Sequence, residues 1–435
     1  MMSDMKEKSA DFVKKNIVTL VFSILCVISI GYSGQNANFI LQEIITRICR
    51  NTVLILSLLM PVLCGMGLNF SIVLGAAAGQ IGLIVITHYG MGGFGGMTVC
   101  LLIATAFSVL FGWFAGAIFN RTVGQEMITG MIIGYFSKGI FDLFFLVLVG
   151  SALIPIVNPV LVLSTGVGLK NTIELNDNVK YVFDNVLKMT FRDTLVMAMV
   201  VFAVMALAVM GRERMAKKRS AREAAGSARI FIGGLAGSVL LYLIFTVIPS
   251  LSVAADYARV PVFTCMLIGL VCLFTVYVSK TKLGQDIRTC GQNMQVASSS
   301  GIRVGKVRIV AIILSTIVAS WGQVIFLQNM GLINTYTSHE QVGTYAVAAL
   351  LVGGASIRKA NIGQAFLGAF LFHMLFFTMP LAGKNMFHDA QIGEYFRVFI
   401  SYGVIAVSLA LYVWNQAADQ KKALKRVSQG KEPVQ

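Results

Sequence analysis

The sequence predicts an all-α polytopic membrane protein with about 10–12 transmembrane helices, some of them broken or re-entrant. The first observation is composition. Of 435 residues, 57% are hydrophobic and 12% are charged, whereas a soluble domain carries about a quarter charged residues. The second is the recurrence of apolar runs close to the roughly twenty residues that cross a bilayer. The third is that the net charge of +16 is confined to a few segments.

Twelve apolar runs are candidate spans. Twelve alternating crossings place both termini on the same side of the membrane. Two pairs of runs have very short connections, at 68–69 and 356–361, so a broken or re-entrant helix can replace a crossing there. The runs are 17–33, 52–68, 69–88, 97–119, 127–149, 192–210, 230–249, 260–279, 309–328, 342–356, 361–380 and 397–415.

The distribution of charge sets the orientation. Five segments carry 24 Lys/Arg and only 8 Asp/Glu, whereas the other loops are balanced, as are Arg121 with Glu126 and Lys138 with Asp142. Because Lys and Arg accumulate in cytoplasmic loops, we expect both termini in the cytoplasm. The basic face is then suited to anionic membrane lipid rather than to nucleic acid. The five segments are 1–15, 211–229, 280–308, 358–359 and 417–435.

This orientation gives a domain plan. A cytoplasmic N-terminal segment precedes a single membrane domain, which is followed by a basic cytoplasmic tail. The three parts are 1–16, 17–415 and 416–435. Within the membrane domain, we expect an extracytoplasmic loop at 151–193, a basic cytoplasmic loop at 211–229 and a patterned cytoplasmic loop at 280–308.

The outer loop contains apolar residues at helical spacing. They predict an amphipathic helix on the outer surface, where it meets a partner protein or, alternatively, rests on lipid or other helices. The residues are Val179, Val182, Phe183, Val186 and Leu187.

Two polar stretches interrupt the apolar runs. Asn69 and Ser71 lie in a Gly-rich stretch, and Asn334, Tyr336 and Thr337 precede a run of small residues. Polar groups in a membrane need partners or a water-filled cavity, and broken helices often contact the solute of a transporter. We therefore expect a translocation path at these residues. The alternative is that they bridge neighbouring helices permanently.

Two further patterns concern the interior of the spans. Gly75 and Gly79 form a small-xxx-small packing face. Lys138 and Asp142 lie four residues apart on one helix face, which predicts an intramembrane ion pair. Such a pair is either functional or a structural lock.

The sequence contains no pattern typical of an enzyme. Seven cysteines form no C-x-x-C pair and four histidines are scattered, so we expect no metal site. Gly90–Gly95 matches G-x-G-x-x-G by letter, but no strand precedes it and the nucleotide interpretation lacks its structural context. We expect no catalytic residue and no cofactor in this chain.

The 280–308 loop is too strongly patterned for a simple connector. Ala297 and Gly301, four residues apart, predict a short helix with a small face. We expect that face to receive a soluble partner from the cytoplasm. Gly291, Asn293 and Ile302 complete the pattern.

Three stretches in order resemble the permease subunits of ABC importers for ribose and other simple sugars, nucleosides and branched-chain amino acids. Gly67–Gly75 is similar to the family's Gly-Ile-Asp-Leu-Ser-Val-Gly segment, with Asn69 in place of the acidic residue. The loop residues Gly291 to Ile302 resemble its cytoplasmic motif, with Ser298 in place of the second alanine. Ala346–Ser356 resembles its Gly-Gly-Thr-Ser stretch. The likeness extends from about residue 38 to 412.

The resemblance implies a permease-like helix bundle without an ATPase site of its own. ATP would be bound by a separate ATPase subunit docked on the 280–308 loop. A second permease subunit and an extracytoplasmic solute-binding protein are the other implied partners. The implied solute is small, neutral and polar, a simple sugar or nucleoside, and crosses the cytoplasmic (inner) membrane. The alternatives are a branched-chain amino acid permease of the same family and a self-contained secondary transporter or channel. The scarcity of acidic residues within the spans argues against the last.

Overall fold

A computed structural model describes residues 16–156, 158–215, 221–389, 391–399, 402–407, 410 and 414. The described chain is predominantly helical, which confirms the all-α polytopic membrane class. The predicted tail at 416–435, the N-terminal segment before Asn16 and parts of the last predicted span at 397–415 lie outside the described residues. The chain divides into two compact units. The second comprises Gln35–Thr46 and Phe183–Met266, and the first comprises the rest.

The helices of the described chain follow one another with short connections, apart from the outer loop. In order they are α1 (Ile17–Ser33), α2 (Ala37–Leu56), α3 (Leu59–Leu63), α4 (Ile72–His88), α5 (Gly93–Phe119), α6 (Glu126–Leu143), α7 (Val182–Val186), α8 (Phe191–Met215), α9 (Ala221–Val247), α10 (Pro249–Tyr257), α11 (Val262–Lys280), α12 (Lys282–Gln292), α13 (Met294–Ser299), α14 (Val304–Met330), α15 (Val342–Val352) and α16 (Ile362–Phe387). A π-helical turn at Phe144–Leu148 continues α6. Helical backbone also occurs at 391–399 and 402–407.

In the described part of the chain, four short strands form two antiparallel pairs. Strand β1 (Thr172–Glu174) pairs with β4 (Leu332–Asn334), with Ile173 opposite Ile333. Strand β2 (Lys188–Thr190) pairs with β3 (Arg259–Pro261). Each pair fixes a loop against the end of a long helix, so the strands serve as anchors rather than as a sheet.

Seven helical segments within the described ranges are long and apolar enough to cross a membrane, or eight if a bent pair counts as one span. The bent pair, Phe231–Val247 with Pro249–Tyr257, turns by 112°. Three shorter apolar helices are Ile17–Ser33, Ile72–His88 and Val342–Val352. The seven are Ala37–Leu63, Gly93–Phe119, Glu126–Leu148, Phe191–Gly211, Val262–Lys280, Val304–Met330 and Ile362–Phe387.

The core of the first unit is built around α4, which is buried on nearly every face. The predicted small-residue face is confirmed: a Cβ on Gly75 would lie 2.5 Å from the carbonyl oxygen of Thr316, and one on Gly79 2.5 Å from that of Ser320. Helices α4 and α14 therefore approach backbone to backbone. Such contact is how membrane helices associate where lipid removes the hydrophobic driving force.

The second unit is held together by polar contacts as well as by the α8–α9 hairpin. Arg192 pairs with Asp256 at 3.1 Å and donates to Ser252 Oγ at 2.8 Å. The side chain of Gln42 both donates to and accepts from the backbone of Arg259. These contacts fix α10 and β3, and with them the start of α11.

The structure corrects two local expectations. The predicted outer helix from Val179 to Leu187 is only the five-residue α7, because Tyr181 takes a positive φ of 56° and breaks the helix before it. The first predicted span after α1 begins at Ala37 rather than at residue 52. Its N-terminal part carries polar side chains such as Gln42 and Arg50, which lower the local hydropathy and hide the helix from a search for apolar runs.

Candidate functional site

A short non-helical segment separates α3 from α4 in the first unit, and we call it the helix break. Residues 64–71 leave the helix, and Gly65 and Gly67 take φ angles of +75° and +72°, a region that favours glycine. A Cβ on Gly65 would lie 2.8 Å from Gly291 Cα. The 280–308 loop thus contacts the break of the membrane helix directly.

Asn69 and Ser71 lie inside this break and are buried. Asn69 Oδ1 accepts hydrogen bonds from the Ser71 amide at 3.0 Å and the Ser71 hydroxyl at 2.6 Å. Asn69 Nδ2 donates to Ser315 Oγ on α14 at 3.3 Å. These are the contacts expected if both side chains join neighbouring segments permanently. Neither residue lines the cavity described next.

A cavity of about 350 Å³ lies in the first unit between α2, α14, α15 and α16. Its volume falls in the range of small-molecule sites. Two of the predicted path residues, Asn334 and Thr337, line it, whereas Tyr336 does not. The polar lining residues are Asn51, Asn334, Thr337, Ser338, Glu340, Gln341, Tyr345 and His373, and the apolar ones include Leu54, Phe326 and Ala346.

Several of these side chains could not be predicted from the sequence. His373 lies in the apolar helix α16 and is 6% exposed, and its Nδ1 has no hydrogen-bond partner among the described protein atoms. A buried polar atom without a partner is costly, so a ligand bound here would gain from contacting it. The isolation of one histidine in the apolar run 362–383 was the available signal.

Hydrogen bonds to the 151–193 loop hold one rim of the cavity. The Thr335 amide donates to the Asn171 carbonyl at 2.8 Å, and the Tyr336 hydroxyl donates to the Leu169 carbonyl at 2.8 Å. Burial raises the pKa of Tyr336, and the Asp142 carboxylate adds to the effect, so this hydroxyl remains a donor. Tyr336 therefore positions the loop.

A second polar network contacts the same rim of the cavity through Gln80 of α4. Gln80 Nε2 donates to the Thr335 carbonyl at 2.6 Å, and Gln80 Oε1 lies 3.0 Å from His339 Nδ1. Burial lowers the pKa of His339 to about 4, and the Lys138 charge acts in the same direction. The imidazole is therefore neutral at pH 7. This network could not be predicted from the sequence, because Gln80 lies 255 residues from Thr335 and 259 residues from His339.

The predicted Lys138–Asp142 ion pair on α6 is present, and Lys138 also contacts a third charged side chain. Lys138 Nζ lies 3.4 Å from Asp142 Oδ2 and 3.6 Å from Glu340 Oε2. Since Glu340 lines the cavity, the pair is attached to the candidate site. The ring centroids of Phe141 and His339 lie 4.4 Å apart and add an aromatic contact.

The 280–308 loop folds into two short helices, α12 and α13. Thr281 caps α12, and Asn293 caps α13 by accepting from the amides of Gln295 and Val296. Gly291 packs against the backbone of Leu63 and Cys64, where no Cβ would fit. A short helix is present at Ala297, as predicted, but it ends at Ser299, and Gly301, with a φ of +78°, lies beyond it rather than on the same helix face.

The orientation of that helix corrects the expectation for Ala297. Ala297 is 0% exposed and packs inside a cluster with Phe119, Cys290 and Ile312, because its methyl group fits where α13 meets the bundle. Gly301 and Val296 are exposed, and Ile302 is half-buried. The face open to a partner is formed by Gln295, Val296, Ser298, Ser299 and Gly301.

A buried ion pair joins this loop to α6. Arg308 Nη2 lies 2.6 Å from Glu126 Oε1 and 3.0 Å from the Phe119 carbonyl, and Arg308 Nη1 contacts Met294 Sδ at 3.3 Å. The side chains are 1% and 8% exposed. The charge count of the sequence had balanced Glu126 against Arg121, which is exposed. The nearest charge along the chain is thus not the partner.

Within the ranges that the structure describes, no three His, Cys, Asp or Glu side chains are grouped so as to hold a metal ion. The cysteines at 26, 49, 64, 100 and 290 are buried.

Comparison with known proteins finds a distant relative. The xylose transport system permease protein XylH of Haemophilus influenzae is 21% identical over 207 residues, which are 46% of this chain and 51% of XylH. The match thus spans about half the length of that relative. No protein-family model matches the chain, and no solved structure is significantly similar to it. The chain is a multi-pass membrane protein that resembles the permease subunits of ABC sugar importers.

Proposed function

We propose that this protein is the membrane-spanning permease subunit of an ATP-binding cassette importer that moves a small neutral polar solute. The likeness to the xylose permease carries this proposal. The class of solute is a more specific part of this proposal, and a simple sugar is the leading candidate. A nucleoside or a branched-chain amino acid is the alternative within the same family.

The cavity supports a neutral polyol as the solute. Amide, hydroxyl and imidazole groups from Asn51, Thr337, Gln341 and His373 surround it, and such groups can donate and accept hydrogen bonds with sugar hydroxyls. Tyr345 and Phe326 offer apolar surfaces for the carbon face of a ring. The carboxylate of Glu340 lies 3.6 Å from Lys138, which also pairs with Asp142, so this group carries a net charge of −1 at the edge of a cavity whose other polar groups are amides, hydroxyls and an imidazole.

The transport cycle in this proposal uses partners. A solute-binding protein delivers the solute at the extracytoplasmic side, and a second permease subunit completes the path. ATPase subunits bind ATP and dock on the exposed face of α13, at Val296 and Ser299. Closure of the ATPase subunits moves α12 and α13. Because Gly291 contacts the chain at Leu63–Gly65, that movement reaches the broken helix without an intermediate element.

A secondary transporter is the second candidate, and one observation favours it. Lys138, Asp142 and Glu340 form a charged group beside the cavity. Ionisable groups at membrane depth often carry protons in ion-coupled transporters. In that reading the protein would transport without ATP.

The test is uptake into proteoliposomes that contain the purified chain with the ATPase and solute-binding protein that this proposal assigns to it. We expect ATP-dependent accumulation of xylose or ribose, with Thr337→Val and His373→Phe lowering uptake at least fivefold. Arg121→Gln serves as the matched control on an exposed side chain. ATP-independent uptake driven by a pH gradient would support the secondary transporter. ATP-dependent uptake of leucine but of no sugar would reassign the solute.

A further inference from the structure

Helix α6 carries an ion pair near each end, and each pair joins it to a different functional region. Near the first residue of the helix, Glu126 pairs with Arg308 next to α13. Twelve residues further on, Lys138 pairs with Glu340 at the cavity. At 1.5 Å per residue the two contacts are about 18 Å apart along the helix.

The first contact is buried and made by several groups. The Gly124 amide donates to Glu126 Oε2 at 2.9 Å, so both carboxylate oxygens are engaged. Arg308 also holds the Phe119 carbonyl and Met294 of α13. A carboxylate in the first turn of a helix is further favoured by the helix dipole. A displacement of α13 therefore changes the position of the first residues of α6.

The middle of α6 presents a smooth surface to the helix break. A Cβ on Gly130 would lie 3.4 Å from the Phe70 and Ser71 amides, and one on Gly134 would lie 3.8 Å from the Phe70 carbonyl. Small residues leave no side chain to interlock with the neighbouring backbone. Packed helices move past one another by small sliding displacements in shear motions, and this face suits such a displacement.

The second contact ends at the site. Lys138 reaches Glu340, and Phe141 packs on His339. The same segment, 339–341, precedes α15, whose Gly343 lies against the Phe70 carbonyl. A shift of α6 along its axis therefore changes the position of a cavity-lining carboxylate.

We propose that α6 transmits movement of the cytoplasmic segment α13 to the cavity, with Glu126–Arg308 as the inner attachment and Lys138–Glu340 as the outer one. Glu126 and Lys138 are positioning residues in this scheme. The role assigned to α13 rests on the proposed function, whereas the coupling between the two attachments is a property of the chain by itself.

The direct test is a double-mutant cycle on the purified chain in detergent, with no partner present. A cysteine replaces Thr337 at the cavity, and its alkylation by a soluble maleimide is measured at that residue by mass spectrometry. Glu126→Gln and Lys138→Met should each change the alkylation rate at least fivefold. The double variant should match the larger single effect, because interacting residues are not additive. Arg121→Gln, at the same end of α6 but exposed, should leave the rate within twofold.

A reciprocal measurement guards against loss of the fold in Glu126→Gln. The free energy that couples two sites is the same in both directions, and alkylation that is slow relative to opening and closing reports the equilibrium exposure of the cysteine. Lys138→Met should therefore change the alkylation rate of a cysteine placed at Gln295 on α13, and Lys138→Arg should restore it. Unchanged rates at position 295 in Lys138→Met, or independent effects of the two substitutions at position 337, would overturn the proposal.

Transport separates this inference from the proposed function. In proteoliposomes with the ATPase, both variants should hydrolyse ATP but take up at least tenfold less solute per ATP. Wild-type stoichiometry in both variants would remove α6 from its role while leaving the importer intact. Absence of ATP-driven uptake in the wild-type chain would instead remove the importer, and the alkylation cycle would still decide the coupling.

Discussion

Arg308 illustrates how far a residue's role can differ from its position in the sequence. It closes the basic 280–308 loop, yet it is among the largest fully buried side chains of the described chain. Its charge is matched by Glu126, 182 residues earlier. Removing one member of a buried ion pair leaves an uncompensated charge in the protein interior, away from water.

At the residue scale, removing one member of this ion pair should therefore lower the stability of the fold. Glu126→Ala is expected to lower the free energy of unfolding by about 3–5 kcal/mol, measured by thermal or denaturant unfolding in detergent. Arg121→Ala, close in sequence but exposed, should change stability by less than about 0.5 kcal/mol. Equal effects of the two substitutions would contradict the buried pair.

His339 provides a pH-dependent term. Its pKa is about 4 in the folded protein and about 6.5 in an unfolded chain. Between these values the unfolded state binds more protons, so folding stability falls as pH drops from 6.5 to 4. The expected loss for this group is about 3 kcal/mol. Unfolding curves for the wild type and His339→Gln across this window measure it, and parallel curves would be inconsistent with a neutral buried imidazole.

At the element scale, the half-length helix α15 depends on its contact with α16. It has 11 residues, or about 16 Å, which is roughly half of a hydrocarbon core. A Cβ on Gly368 would collide with the Ala349 carbonyl, and one on Gly353 with the Gln364 carbonyl. The two helices are therefore held at backbone contact.

Gly368→Ala should separate α15 from α16 and cost about 1–3 kcal/mol of stability. Gly139→Ala is the matched control, since it is also a helix-interior glycine but has open space around its Cβ position. It should be neutral or stabilising by up to about 1 kcal/mol. Thermal unfolding in detergent compares them, and the opposite ranking would refute the close approach.

Elements governed by local pattern could be predicted from the sequence, and those governed by long-range contacts could not. The Gly75/Gly79 face and the helix after Asn293 depend on spacing within one turn or on a capping side chain. The inward orientation of Ala297, by contrast, depends on packing against Phe119 of α5, which is distant in sequence. The same holds for the cavity, whose lining comes from four separate helices. Tyr336 was selected for its polarity, but its role follows from the loop at Leu169.

At the scale of the whole molecule, the orientation in the membrane remains a prediction from charge. A cysteine at Asn176 in the outer loop should react with an impermeant maleimide added to intact cells, and a cysteine at Ser299 on α13 only after the membrane is opened. Both side chains are exposed, so access to the reagent is the only variable. Reaction in the opposite order would place α13 outside and exclude its role in docking an ATPase.

The short helix α15 has a consequence for the electrostatic potential in the cavity. Its first residues, with Gln341 just before them, line the cavity, so the positive end of the helix dipole faces the site. Lys138 lies between the carboxylates of Asp142 and Glu340, so these three side chains together carry a net charge of −1 beside the same cavity. The two potentials oppose one another, which suits the uncharged solute of the proposed permease better than a free ion.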